Sequence, residues 1–413
     1  MNRNKALLTG TLAAICGLGY TAEGLDRQFV TVRGLNLLPM GQFSYNNDRT
    51  VLHPNVFVSL GYDSNAYQVE DDETTAFTQE AVAGIDIQHF LNESSLLELE
   101  LDVGYKNYIG DDDDARGLEM SDKSGLLVNA DLEYVKEGAV WLHNASIRGR
   151  LYDDPTVESG LSVRRMDYGA QYEAEYGGLF ARIPTMAFFE GVIYDEDGYE
   201  FRDRNRYGLQ SGMDYDRSET STIGGRIRVF QTMYSESNTP WQDSLSVRAF
   251  GSWDVVVEDL HEFTAQLGVE WRSFEDDFAE DPTYDDESVI TPIAMLDYGY
   301  LYDTESRLKA KLQRTIEDGF NSNYVEINMV SVGATKRLYS DWELLGGLSY
   351  YLRNASGDTD SNSLTGKLGA SYYFRQGMAL RGLITYRTQE SETGSFDSDW
   401  GQMLANIDFA AAF

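Results

Sequence analysis

Apolar and polar side chains alternate one for one along much of this chain. Leu97, Leu99, Leu101, Val103 and Tyr105 interleave with Glu98, Glu100, Asp102, Gly104 and Lys106. A strand sends successive side chains to opposite faces, so one face of this run is wholly apolar and the other charged. The pattern returns at Tyr168, Ala170, Tyr172, Ala174 and Tyr176, again at Phe263, Ala265, Leu267, Val269 and Trp271, and at Leu364, Gly366, Leu368, Ala370, Tyr372 and Phe374. Soluble sandwiches also alternate. These runs, however, reach about 10 residues or more, the length of a tilted strand across a bilayer, against about 5–6 in soluble sheets. Glycine and small polar residues are common on the alternate face, which suits a wet lumen better than a packed core. The pattern predicts an all-β fold: one antiparallel, transmembrane, up-and-down β-barrel of about 16–18 strands, with 18 preferred. Residues 186–194, 290–302 and 324–338 alternate poorly.

The connectors sort by length. Every second one is long and acidic, as at 69–73, 110–121, 153–163, 195–205, 235–242, 274–288, 354–361 and 389–398. Those between are short, such as 91–93, 136–138, 177–178 and 340–341. Outer-membrane barrels have long extracellular loops and short periplasmic turns, and an even strand number leaves both termini periplasmic. The final run places Met403, Ala405, Ile407, Phe409, Ala411 and Phe413 on the apolar face. A last strand of this kind ending in Phe resembles the signal read by the barrel assembly machinery, with Phe409 and Phe413 as its aromatic members.

Residues 1–5 are short and positive, and 6–20 are apolar, as in a signal peptide and too short for a comfortable helical span. Small residues at Ala22 and Gly24 fit cleavage after residue 24, with a cut after Ala22 as the alternative. Ile15 directly precedes Cys16, against a lipoprotein reading. The expected organisation is a signal peptide at 1–24, a periplasmic extension, extra strand (29–38) or plug within 25–53, and a barrel at 54–413.

Composition narrows the function classes. Lys and Arg number 33 against 68 Asp and Glu, a formal charge of −35. No basic face exists for phosphate contacts, so nucleic acid is excluded as a partner. Aromatics at 13% argue against a disordered acidic chain. The single Cys among 413 residues rules out a disulfide framework and a Cys-based zinc site. The partners expected of a barrel are outer-membrane lipid, lipopolysaccharide and the assembly machinery.

The first long strand reads Pro54-Asn55-Val56-Phe57-Val58-Ser59-Leu60-Gly61-Tyr62-Asp63-Ser64-Asn65-Ala66-Tyr67. A Pro-led apolar strand running into Gly-Tyr-Asp-Ser-Asn resembles the opening of the outer-membrane β-barrel porins found with exopolysaccharide biosynthesis genes. The resemblance extends, in length, strand pattern and terminal Phe, from about residue 54 onward. It implies an outer-membrane channel or accessory for exopolysaccharide secretion, with polysaccharide and secretion-complex partners. It implies no functional residues. A passive diffusion porin for small polar solutes, or a structural surface barrel with ion-binding acidic loops, are the alternatives.

No enzyme is expected. The four histidines, His53, His89, His143 and His261, map near periplasmic strand ends, and no Ser–His–carboxylate set assembles on one rim. No cofactor is expected. Asp111-Asp112-Asp113-Asp114 and the acidic stretch 281–287 offer oxygens that calcium takes, but lack the EF-hand spacing, and a solvated acidic loop is the favoured reading. The sequons at Asn92, Asn144 and Asn354 are read as chance.

If the apolar face meets lipid, the other lines the pore. Early strands then offer Glu98, Glu100, Asp102, Asp131, Glu133, Asp167, Glu173 and Glu175; later ones offer Arg226, Arg228, Arg248, Arg307, Lys309, Lys311, Arg381 and Arg387. Arg148 and Arg150 break the trend. Acid on one wall and base on another would set a transverse field across the lumen. The alternative is that these charges pair across neighbouring strands. Phe250, Tyr373 and Tyr152 map inward, too few for a continuous aromatic track.

Overall fold

The computed structural model describes residues 30–37, 39–40, 43–45, 49–66, 75–110, 124–155, 162–178, 180–194, 202–235, 243–275, 288–303, 306–319, 324–339, 341–355, 359–392 and 399–413. Three short strands come first: β1 (Val30–Val32), β2 (Leu35–Leu37) and β3 (Phe43–Tyr45). The staves follow as β4 (Thr50–Asp63), β5 (Ala76–Asn92), β6 (Ser95–Gly110), β7 (Gly125–Glu137), β8 (Trp141–Pro155) and β9 (Ser162–Gly177). Next come β10 (Ala181–Tyr194), β11 (Arg204–Ser218), β12 (Ser221–Tyr234), β13 (Ser244–Val257), β14 (His261–Phe274) and β15 (Ser288–Asp303). The ring ends with β16 (Ser306–Glu317), β17 (Val325–Leu338), β18 (Trp342–Ala355), β19 (Thr359–Arg375), β20 (Met378–Glu392) and β21 (Trp400–Ala412).

Each stave from β4 onward pairs antiparallel with the next, and β21 pairs with β4 from Leu404↔Asp63 to Ala412↔Asn55. The result is a closed barrel of eighteen staves. Closure removes the unpaired strand edge that hydrocarbon does not tolerate. Connectors of two or three residues alternate with others of three to fourteen, which sets the extracellular side by the longer loops.

Alternation sorts the two faces. Leu267, Ile290, Leu368 and Ile407 are each at least 60% exposed on the outside, where apolar side chains meet lipid. Aromatic clusters ring the periplasmic end of this surface: Trp141 with Tyr176 (5.2 Å), His261 with Tyr300 (4.8 Å), Trp342 with Tyr372 (4.8 Å), and Phe374 with Phe409 (6.3 Å). Such girdles mark the interface between headgroups and hydrocarbon.

The three runs with weak alternation are regular staves, β10, β15 and β17, and their reason is visible in β10. Its inward-facing Met186 and Phe188 are apolar because they pack with Phe230 of β12. Apolar residues on both faces erase the period-two signal.

The barrel begins at Thr50, earlier than the expected Pro54. The N-terminal residues divide in two. β3 pairs with β4 through Phe43↔Leu52 and Tyr45↔Thr50, along the edge of β4 just below the end of β21. The extra strand expected at 29–38 is displaced to 43–45, because that is where β21 leaves the edge of β4 without a neighbour. Met40 N donates to Ala412 O (3.0 Å) and Gln376 Nε2 to Pro39 O (3.0 Å). Gly377 sits under this strap with φ +73°, and a Cβ there would lie 2.5 Å from Ala412 O.

Residues 30–37 instead form a hairpin against the inner wall. Arg33 and Gly34 both have positive φ, the conformation of a tight two-residue turn. Val32, Leu35 and Leu37 are almost fully buried and pack with Phe57, Val82, Leu127, Ala379, Ala410 and Ala412. Those wall positions lie along one cross-strand row, Ala379↔Ala410↔Phe57↔Val82↔Gly104, with Leu127 continuing from Gly104. Tyr373 and Tyr152 flank the ends. An apolar stripe in a charged lumen exposes hydrocarbon to water unless something covers it; here the hairpin does.

Candidate functional site in the lumen

The registers carry a single inward face round the ring. On the acidic side, Glu98 lies opposite Glu133 and Glu100 opposite Asp131, with Asp102 next to Asn129. Like charges directly opposed across a ladder are destabilising. Side-chain amides ease this contact. Gln88 Nε2 donates to Glu98 (3.0 Å), Asn129 Nδ2 to Glu100 (3.0 Å) and Asn144 Nδ2 to Glu133 (2.7 Å). On β8, Arg148 and Arg150 bound this patch, and Arg150 Nε donates to Asn129 Oδ1 (3.0 Å).

The basic side holds Arg307, Lys309 and Lys311 on β16, Lys367 on β19, and Arg381 and Arg387 on β20. Arg307 bonds Glu262, and Arg381 Nη2 bonds Asp408 at 2.7 Å. Lys309, Lys311 and Lys367 make no ion pair with any described residue. β16 stands nine staves from β7 in a ring of eighteen, so Lys309 and Lys311 face the acidic patch across the bore.

The wall between, β9 to β14, pairs most of its charges. Arg226 holds Asp214 with two parallel bonds, Nη1–Oδ1 at 2.6 Å and Nη2–Oδ2 at 2.7 Å. Arg248 bonds Glu270 at 2.5 Å, and Arg272 bonds the same carboxylate at 3.0 Å. Arg182 bonds Asp216 (3.1 Å), and Arg206 bonds Glu190 (3.0 Å). Asp167 is bonded by Tyr152 Oη at 2.6 Å and by Arg165 at 3.1 Å. Glu173 and Glu175 stand on β9 near Arg226 and Arg182. Pairing across neighbouring strands therefore occurs on this wall, while the carboxylates of β7 stand nine staves from Lys309.

The sequence reading missed the most enclosed cluster. Asp318 follows β16 yet bonds Arg204 (3.1 Å) and Arg206 on β11 and Arg272 (3.0 Å) on β14. This ties the start of the extracellular connector after β16 to staves two and five places back round the ring. Burial alone would raise the Asp318 carboxyl, but Arg206, Arg204 and Arg272 together hold it well below the usual carboxylate range. The alternation of Arg204-Asn205-Arg206 and of Glu270-Trp271-Arg272 marked those side chains as inward. Nothing local in the sequence marked Asp318.

A second buried network closes the ring. Asn65 N donates to Asp63 Oδ1 (3.0 Å), Asn65 Nδ2 to Gly401 O (3.0 Å), and Gln402 Nε2 to both Asp63 oxygens (2.9 and 3.0 Å). Ser64 and Met403 exchange two more bonds. The Gly-Tyr-Asp-Ser-Asn segment is thus the clasp between the first and last staves. At its lower end Phe413 N donates to Pro54 O (2.8 Å).

Histidines occupy the outer rim or the wall without a nucleophile set. His89 Nδ1 bonds Thr50 (2.8 Å), His143 Nδ1 bonds Tyr172 (2.8 Å) and His261 Nδ1 bonds Tyr298 (3.0 Å). No group of three metal-ligating side chains occurs among the described residues. The acidic stretches 111–114 and 281–287, and residues 1–24, where a signal peptide is expected, lie outside the described residues.

No family model matches the chain, and no curated protein matches it. Solved barrels do. OccK1 (OpdK) of Pseudomonas aeruginosa superposes with a TM-score of 0.51 and 11% identity, over 88% of this chain and 99% of that one. OpdK of the same organism, crystallised with vanillate, gives 0.50 and 10% over the same shares. Pseudomonas aeruginosa OccK2 (OpdF) gives 0.49 and 11%, over 90% and 100%. Such identities speak to the fold. Together with the apolar exterior, the aromatic girdle and the charged bore, they make this protein an eighteen-strand β-barrel channel of the bacterial outer membrane.

Proposed function

We propose that the protein is a diffusion channel for small polar solutes, with a bore narrowed from two sides. The observation that carries this reading is the inner wall: charge lines it on every side, the 30–37 hairpin is seated against it, and Asp318 is bonded to it. The hairpin seats tightly, leaving a cavity of only about 10 Å³ beside Thr31, Arg33 and Asp102, with the Arg33 guanidinium bonded to Glu80 (3.5 Å) and the Arg33 carbonyl accepting from Arg381 Nη1 (3.2 Å). Water and polar solutes gain from a field across such a bore, whereas apolar solutes do not. The test is single-channel conductance in a planar bilayer. The full chain is expected to conduct potassium chloride, and deletion of residues 30–37 to raise the conductance severalfold. Absence of ionic conductance in both would end this reading.

Exopolysaccharide secretion is the second reading, and the resemblance of 54–67 supports it. Asp63, Ser64 and Asn65 are engaged in closing the ring, so what they support is a shared way of building the barrel. The inward aromatics do not extend a sugar track: Tyr152 and Tyr373 flank the hairpin and Phe250 lies apart beside Arg226. Loss of surface polysaccharide on gene deletion, restored by the intact gene, would promote this reading over the first. Phe409 and Phe413 are proposed to serve assembly, and lipopolysaccharide and divalent cations to contact the acidic loops.

A further inference from the structure

We infer that Arg228 forms a binding subsite in the bore for the carboxylate group of a small organic anion. This rests on the channel reading and names a solute class for it. Arg228 is inward-facing on β12, opposite Gln210 on one side and Arg248 on the other. Its guanidinium carbon lies over the Phe188 ring, 4.0 Å from the centroid, and 5.3 Å from that of Phe230. It makes no hydrogen bond and no ion pair with any described residue, in contrast to its neighbours. Arg206 is bonded to Glu190 and Asp318, Arg248 to Glu270, and Arg272 to Glu270 and Asp318.

The charge count leaves room for an anion. On this part of the wall six guanidiniums, Arg148, Arg204, Arg206, Arg228, Arg248 and Arg272, stand with three carboxylates, Glu190, Glu270 and Asp318. Like charges at Arg228 and Arg248 are directly opposed across the ladder, which costs stability unless a counter-charge offsets it. The Nε of Arg228 is buried, whereas its two terminal nitrogens reach the lumen. A guanidinium held against an aromatic ring keeps its planar fork of nitrogens in place, and a planar carboxylate meets such a fork with two parallel bonds. Phe188, Phe230 and Met186 lie beside it and offer apolar contact to the carbon attached to that carboxylate.

The test uses the purified full-length barrel in detergent, with sodium acetate as the probe. Saturation-transfer NMR reads binding, and a planar bilayer reads conductance. Acetate is expected to bind the wild type saturably. Arg228→Gln should weaken binding about ten-fold or more, the worth of charge-assisted hydrogen bonds. Arg228→Lys should recover only part, because an ammonium keeps the charge but not the fork. Lys309→Met, which removes a bore cation elsewhere, should leave acetate binding unchanged. Equal binding by wild type and Arg228→Gln, or equal loss in Arg228→Gln and Lys309→Met, overturns the subsite. Binding lost on Arg228→Gln in a barrel that conducts no salt keeps the subsite and overturns the channel reading. A heat-modifiable gel band for each variant shows that the barrel is folded.

Discussion

The wall from β9 to β14 and the facing patches on β6–β7 and β16 put charge on the same inner surface in opposite ways. On the first, acid and base are neighbours in register: Arg182 opposes Asp214, Glu190 opposes Arg206, and Arg248 opposes Glu270. Pairing there satisfies buried groups and fixes their geometry, and little net field leaves each pair. On β6 and β7, by contrast, carboxylate opposes carboxylate, and Lys309, set between glycines on its two neighbours, stands nine staves from β7. That separation forgoes the local gain and creates a field through the bore instead. The comparison teaches that a barrel's inner charges do two jobs. Paired ones hold the wall together and segregated ones act on what passes.

Stability separates the two walls most sharply. Arg226→Ala strands the Asp214 carboxylate in a pair only 4–7% exposed. Breaking a buried pair by one partner costs about 3–5 kcal/mol. Lys309→Ala, at an unpaired site, should stay within about 0.5 kcal/mol. Urea unfolding of the lipid-embedded barrel measures both, and equal losses would erase the distinction. The clasp comes next. Asn65→Ala removes the side-chain bond to Gly401 O across the seam and should cost about 1–3 kcal/mol by the same measurement.

Ion selectivity sharpens the other half of the comparison. Glu98→Gln with Glu133→Gln should move the reversal potential in a salt gradient toward anion preference. Lys309→Met with Lys311→Met should move it toward cation preference. The neutral exchange Asp214→Asn with Arg226→Gln should move it by much less than either. The smallest expected effect is with pH. The Asp318 carboxyl is depressed by its three arginines, so its stabilising share is present above the ordinary carboxylate value and is lost as pH falls through the lower folded value. Current fluctuations from the connector after β16 should therefore stay quiet at about pH 4, near the unperturbed Asp value, and grow only in stronger acid. In Asp318→Asn they should be present at neutral pH.

Period-two alternation determined the barrel, its lipid-facing side and the inward face, because each depends on one residue and its immediate neighbours. It placed Glu98 and Lys309 on that face for the same reason. It weakened at β10, where Met186 and Phe188 are apolar on the inside. The sequence did not pair Asp318 with Arg206, separated by more than a hundred residues, nor seat Val32, Leu35 and Leu37 on a stripe built one or two residues at a time from separate staves. Those contacts exist only once the ring closes and its registers fix which rows meet. The strand period is written locally, whereas the company each inward side chain keeps is decided by how eighteen strands are staggered against one another.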